Sequence, residues 1–68
     1  MTKFGEKLRE LRQERGISQL NLAKHFSVSQ STIADWERGK VETDFETLIK
    51  LSKFFNVTTD YILGVAIY

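Results

Sequence analysis

The chain of 68 residues has no cysteine, no proline and a single histidine. Without cysteine there is neither a disulfide framework nor a thiolate zinc site to staple so short a chain, and apolar packing has to hold it. One domain of this length hides only about 60% of its unfolded surface, so help from a partner chain is expected. His25 has no second ligand at metal spacing, and neither a metal nor another cofactor is expected. No apolar run approaches the ~18 residues of a membrane span. The segment TKFGEKLRELRQER is charged throughout, unlike a signal peptide, so a cytoplasmic protein with no membrane partner is expected. No repeat, proline-rich or low-complexity stretch marks a boundary, and residues 1–68 read as one domain. There is no His-carboxylate-nucleophile set and no glycine-rich phosphate loop, which argues against an enzyme, and no small-molecule site is evident.

What is present is helix punctuation. Ser18 is a good N-cap, with Ile17 before it and Leu22 inside the following helix placed as a hydrophobic staple. The same frame recurs as Val28, Ser29 and Ile33, and again as Val57, Thr58 and Ile62. None of the three has the acidic or Gln residue that completes a capping box. Five helices are predicted, at about 3–15, 19–26, 30–38, 45–55 and 59–63, with no strand pattern, giving an all-α fold. Phe4, Leu8 and Leu11 set the first, and Gly16 stops it. Asp44 caps the fourth, whose Phe45, Leu48, Ile49, Leu51, Phe54 and Phe55 form a wide apolar face, expected to be the main pillar of the core.

The stretch SQLNLAKHFSVSQSTIADWERG, residues 18–39, thus reads as two short helices joined by a tight turn, the layout of a helix-turn-helix spanning about 18–38. At 100° per residue, Ile33, Trp36 and Glu37 share one face of the second helix, while Gln30, Ser31, Ala34, Asp35 and Arg38 share the other. A small, polar outer face suits the major groove of DNA, where sequence is read by donors and acceptors at base edges. Residues 1–40 carry eight Lys or Arg against five Asp or Glu, and residues 41–68 two against four, so the positive end lies with this unit unless the surface charge is scattered by chance.

The runs LRELRQERGISQ, VSQSTI, WERGK, TLIKLSKFFNV and DYILG, with Leu22 and Ala23, resemble the phage repressor and Cro-like (XRE-type) helix-turn-helix family over about Phe4 to Gly64. The resemblance implies a compact five-helix, lambda-repressor-like domain. It further implies a sequence-specific regulator of double-stranded DNA, a repressor of bacterial, prophage or plasmid genes that binds a palindromic operator as a homodimer. An antitoxin-like protein-interaction module of the same fold is the alternative.

Candidate roles follow. Gln30 can pair bidentately with adenine N6 and N7, or merely solvate a helix start; Ser31 is a less specific reader, and Ala34 allows close approach or contact with a thymine methyl. Asp35 either accepts from a cytosine amino group or pairs with Arg38 one turn away. Gln19 matches the family's phosphate-lying Gln, at a helix N-terminus that favours anions. Ser29, Thr32, Asn21, Arg38 and Lys40 are further phosphate candidates. Trp36 reads as core rather than as a stacking platform. The family's matching acid on the inner face pairs with an Arg of the first helix, which implies an ion pair between Glu37 and Arg12. Ser27 stands where relatives usually have Gly, at a strain of about 1 kcal/mol if the turn keeps its shape. The apolar end DYILGVAIY is either an interface or a link to a further C-terminal part, and a homodimer through Phe54, Tyr61, Ile62, Val65, Ile67 and Tyr68 is expected from related repressors.

Overall fold

The computed structural model describes residues 3–65. Its elements are α1 (Phe4–Glu14), α2 (Gln19–Phe26), α3 (Gln30–Arg38), α4 (Phe45–Phe55) and α5 (Thr59–Leu63), with no strand among the described residues. Four of the five helix starts have a local chemical cause, a side-chain cap, which α1 lacks. Ser18, Ser29, Asp44 and Thr58 accept hydrogen bonds from the backbone N–H groups of Asn21, Thr32, Thr47 and Tyr61, three residues into the helices they open. The Asp44 carboxyl is held below its ordinary value by hydrogen bonds from Thr47, the side chain first and the N–H second.

The helix ends share a second device. In each, a backbone N–H reaches the carbonyl five residues back: Ile17 to Arg12, Val28 to Ala23, Lys40 to Asp35, Val57 to Ser52 and Val65 to Asp60. This is the Schellman closure. It turns on a left-handed residue, which at two of the five ends is not glycine: Ser27 has φ 55° and Asn56 φ 56°. Ser27 therefore adopts the conformation that the resemblance implied, with the strain that goes with it. Ile17, Val28 and Val57 each close one helix and stand immediately before the cap of the next, packed against the core. One apolar side chain thereby anchors both ends of a connection of three or four residues.

The core joins Phe4, Leu8 and Leu11 of α1, Leu22 and Ala23 of α2, Ile33 and Trp36 of α3, Leu48, Leu51 and Phe55 of α4, and Ile62 of α5. Trp36 belongs to it, as expected. The tightest approach is between α1 and α3: a Cβ on Gly5 would lie 2.5 Å from the carbonyl oxygens of both Trp36 and Glu37. Two further ties close the bundle, Lys3 N–H to the Leu63 carbonyl at 3.0 Å and an Arg15 guanidinium nitrogen to the Phe55 carbonyl at 2.8 Å.

Two expectations need correction. The fourth helix turns Leu48, Leu51 and Phe55 inward, one stripe at helical spacing, and leaves Phe45 86% and Ile49 47% exposed; it is one wall of the core rather than its pillar. Ile62, expected at a dimer surface, is completely buried and so has no surface to offer a partner. Phe54 is half-buried against the rings of His25, Phe26 and Phe55, and the half-buried Tyr61 lies under the Lys7 ammonium. Val65 is exposed, whereas Ile67 and Tyr68 lie outside the described residues. No helix among the described residues is long and apolar enough to cross a membrane.

The Gly5 contact generates the first prediction. Gly5→Ala forces α1 away from α3 and should lower stability by about 1–3 kcal/mol. A thermal melt followed by circular dichroism should show a midpoint lower by roughly 4–8 °C for each kcal/mol, and an unchanged midpoint would mean that the helices are not so closely packed.

Candidate nucleic-acid interface

Helix α3 divides along its length as its spacing predicts. Ile33 and Trp36 are buried, Gln30, Ser31 and Arg38 are exposed, and Ala34 and Asp35 are half-exposed. Glu37 sits on the inner side with its side chain only 5% exposed, and such a charge needs partners. It has three donors. Arg12 gives Nε at 2.6 Å to one carboxylate oxygen and a terminal nitrogen at 3.2 Å to the other, a forked pair, and Gln19 Nε2 donates to the second oxygen at 3.1 Å. A third Arg12 nitrogen donates to the Ile17 carbonyl at 2.9 Å. The expected Arg12–Glu37 pair is thus present, and it binds α1, the end of the α1–α2 connection and α3 together.

The contact from Gln19 was not anticipated, since the sequence places the two residues 18 apart with no local pattern joining them. It has a chemical consequence. A carboxylate only accepts, so the Gln19 amide must turn its NH₂ toward Glu37 and its oxygen away. That oxygen faces Gln30, whose Nε2 donates to it at a long 3.5 Å. Gln30 then keeps its own oxygen and one remaining N–H for whatever lies beyond the helix. That is an acceptor beside a donor, the pair that adenine N6 and N7 require.

The other predicted site residues fall into groups. Ser29 Oγ accepts from Thr32 N–H at 3.2 Å and also meets the hydroxyls of Ser31 at 3.0 Å and Thr32 at 2.9 Å. These three contacts use its one proton and two lone pairs, leaving the outer hydroxyls to meet an incoming group. Asp35 pairs with Arg38 at 2.6 Å, the second of the two arrangements its sequence position allowed. Asn21 and Lys40 are exposed and Thr32 is half-buried. Asn21 lies on α2 and Lys40 in the connection after α3.

These features define a helix-turn-helix of the DNA-reading type, with α2 and α3 as its two helices. The family model described as Helix-turn-helix matches residues 8–62, and the chain belongs to that family. It is 38% identical over 61 residues to the HTH-type transcriptional regulator ImmR of Bacillus subtilis, covering 90% of this chain and 48% of that protein. It is 39% identical over 60 residues to Repressor protein C2 of Salmonella phage P22, covering 88% of this chain and 28% of that one. The chain therefore spans about half or less of the length of these relatives. Among solved structures, the P22 c2 repressor protein in complex with a synthetic operator superposes with a TM-score of 0.85 at 35% identity, covering 97% of this chain and all of that one. A transcriptional regulator from Listeria innocua superposes with a TM-score of 0.91 at 29% identity, covering 97% of this chain and 62% of that one.

The Glu37 cluster yields the second prediction. Glu37→Ala strands the Arg12 charge and removes the acceptor of Gln19, and should cost about 3–5 kcal/mol of stability. Urea unfolding measures this directly; a midpoint equal to that of the unaltered chain would show that the pair does not hold the helices together.

Proposed function

We propose that the chain is a sequence-specific double-stranded DNA-binding regulator of transcription. In this reading it is a repressor that acts by occupancy of a palindromic operator as a homodimer in a bacterial cytoplasm, and it has no enzymatic activity. The observation that carries the proposal is the exposed face of α3, small and polar, with the Gln30 amide oriented through Gln19 by the buried Glu37. The P22 c2 repressor, similar over nearly the whole chain, supports it through its structure with an operator.

In the proposed complex α3 enters the major groove. Gln30 takes an adenine, Ser31 and Ala34 line the neighbouring steps, and Asp35 either accepts from cytosine N4 or remains the partner of Arg38. Gln19, Asn21, Thr32, Arg38 and Lys40 lie along the phosphates, with the N-terminus of α2 adding the positive end of its dipole. Ser29 serves mainly as the cap that presents the Ser31 and Thr32 hydroxyls.

Two outcomes are expected. Selection from a random duplex library should yield a palindrome whose affinity falls steeply with salt, with a log–log slope of roughly −5 to −7 for about 6–8 phosphate contacts in the dimer. Absence of any enriched sequence would contradict the proposal. On the selected site, Gln30→Ala should lose about 1–3 kcal/mol of discrimination at one base pair. Asp35→Asn changes base preference only if Asp35 reads a cytosine; an unchanged preference assigns it to Arg38 alone.

A further inference from the structure

Helices α2 and α4 meet through rings. Half-buried Phe54 of α4 lies 5.1 Å from the His25 ring and 5.7 Å from the Phe26 ring, centroid to centroid. Beside this cluster is an open cleft of about 640 Å³, walled by His25, Phe26 and Ser27 on one side and by Lys50, Lys53 and Phe54 on the other. A second hollow, of about 380 Å³, shares His25 and continues along α2 past Asn21 and Lys24. No residue of α3 and no acidic residue lines either one. We infer that this groove docks a short acidic segment of another protein, anchored by an aromatic or branched apolar side chain. The inference goes beyond DNA binding and does not depend on it.

Charge is the first argument for that occupant. Lys50 and Lys53, one turn apart on α4, are exposed, as is Lys24 on α2. No ion pair engages any of the three among the described residues. The acid groups at the start of α4 lie outside the lining, and Asp44 is committed to the Thr47 N–H at 2.8 Å. The whole chain carries a net charge of only +1, so the groove is a local concentration of positive charge rather than part of a generally basic surface. A carboxylate-rich partner is its electrostatic complement, and the Ser27 hydroxyl adds a neutral donor at the edge.

The floor supplies the second argument. Phe26 and Phe54 are half-buried and leave carbon surface in a cleft whose rim is cationic. An apolar anchor that loses its water at the centre, with charges paired around it, fits that division. The phosphates of a duplex would use the lysines and leave the rings idle. A single strand stacks its bases on open ring faces, whereas Phe54 meets three neighbouring rings tilted or edge-on.

Shape supplies the third. A small-molecule site encloses most of its ligand. Here two open hollows join at His25 into one elongated groove, which suits an extended chain.

Fluorescence anisotropy on the whole chain tests this, with a labelled synthetic peptide of Asp and Glu that carries a central Phe and Leu. The peptide should bind, and replacing its Phe and Leu by Ser should weaken binding by about tenfold or more. Lys50→Glu with Lys53→Glu should weaken it similarly. Lys3→Glu with Arg9→Glu, an equal change of charge at exposed positions on α1 and just before it, should cost much less. All four residues are exposed, so the variants should fold, and circular dichroism checks that they do. In the unaltered chain, NMR amide shifts should move at His25, Phe26, Lys50 and Phe54 and stay fixed at Gln30 and Ser31. No binding, equal binding of the Ser-substituted peptide, or equal weakening by the two charge variants overturns the inference. An oligothymidylate that binds more tightly and moves the same amides overturns it in favour of a single-stranded nucleic acid. A duplex affinity lowered more by the Lys50 and Lys53 changes than by the matched pair overturns it in favour of duplex phosphates.

Discussion

The forked ion pair between Arg12 and Glu37 is the constraint on which the rest depends. It is nearly buried, with side-chain exposures of 12% and 5%, and so brings a large desolvation cost that only complete pairing offsets. The protein meets that requirement fully: Glu37 has donors from Arg12 and Gln19, Arg12 also donates to the Ile17 carbonyl, and no buried side-chain polar atom among the described residues lacks a partner. Beside it Gly5 lets the backbones of α1 and α3 come into contact. Charge and close packing therefore act at the same junction. The angle of α3 on the bundle is set by a contact with little freedom to slide.

The same carboxylate links packing to recognition. Since it only accepts, the orientation of the Gln19 amide follows from it, and the orientation of Gln30 from Gln19. Gln30, exposed at a helix start, thereby has one long contact at 3.5 Å that biases its amide weakly toward a single orientation. In the proposed complex this lowers the ordering cost of a bidentate contact and biases it toward one donor-acceptor order. Asp35 and Arg38 show a contrasting arrangement further along α3, where an exposed pair is weakly held and free to rearrange.

Much of this was legible in the residues because the relevant physics is local. The caps at Ser18, Ser29, Asp44 and Thr58, and the staples behind Ser18, Ser29 and Thr58, act over three or four positions, and the helices fall where these signals place them. Glu37 was legible as a charge on an apolar face, and the family resemblance named its partner. Helix α4 was harder to orient. With apolar residues at six of its positions, periodicity does not say which side faces inward, and only the packed neighbours show that Phe45 and Ile49 stay out. Gly5 and the Gln19 contact were not legible at all, since both depend on how α1, α2 and α3 meet in space. The left-handed role of Asn56 was missed for another reason: its sequence signal, a small polar residue before an apolar residue and a hydroxyl cap, differs from that of Gly16 and repeats that of Ser27.

One buried carboxylate holds α3 on the bundle and, in the proposed complex, also orients the amide offered to a base. Replacing Arg12 and Glu37 together by Met separates these roles, because an apolar pair of similar volume often supports a core as well as the ion pair it replaces. The decisive measurement is base discrimination at the position proposed to be contacted by Gln30, in this double variant against the unaltered chain, with folding checked by thermal melting. The double variant should fold, and its discrimination there should fall by about tenfold, close to the weaker end of a bidentate contact. A folded double variant with discrimination unchanged would contradict it.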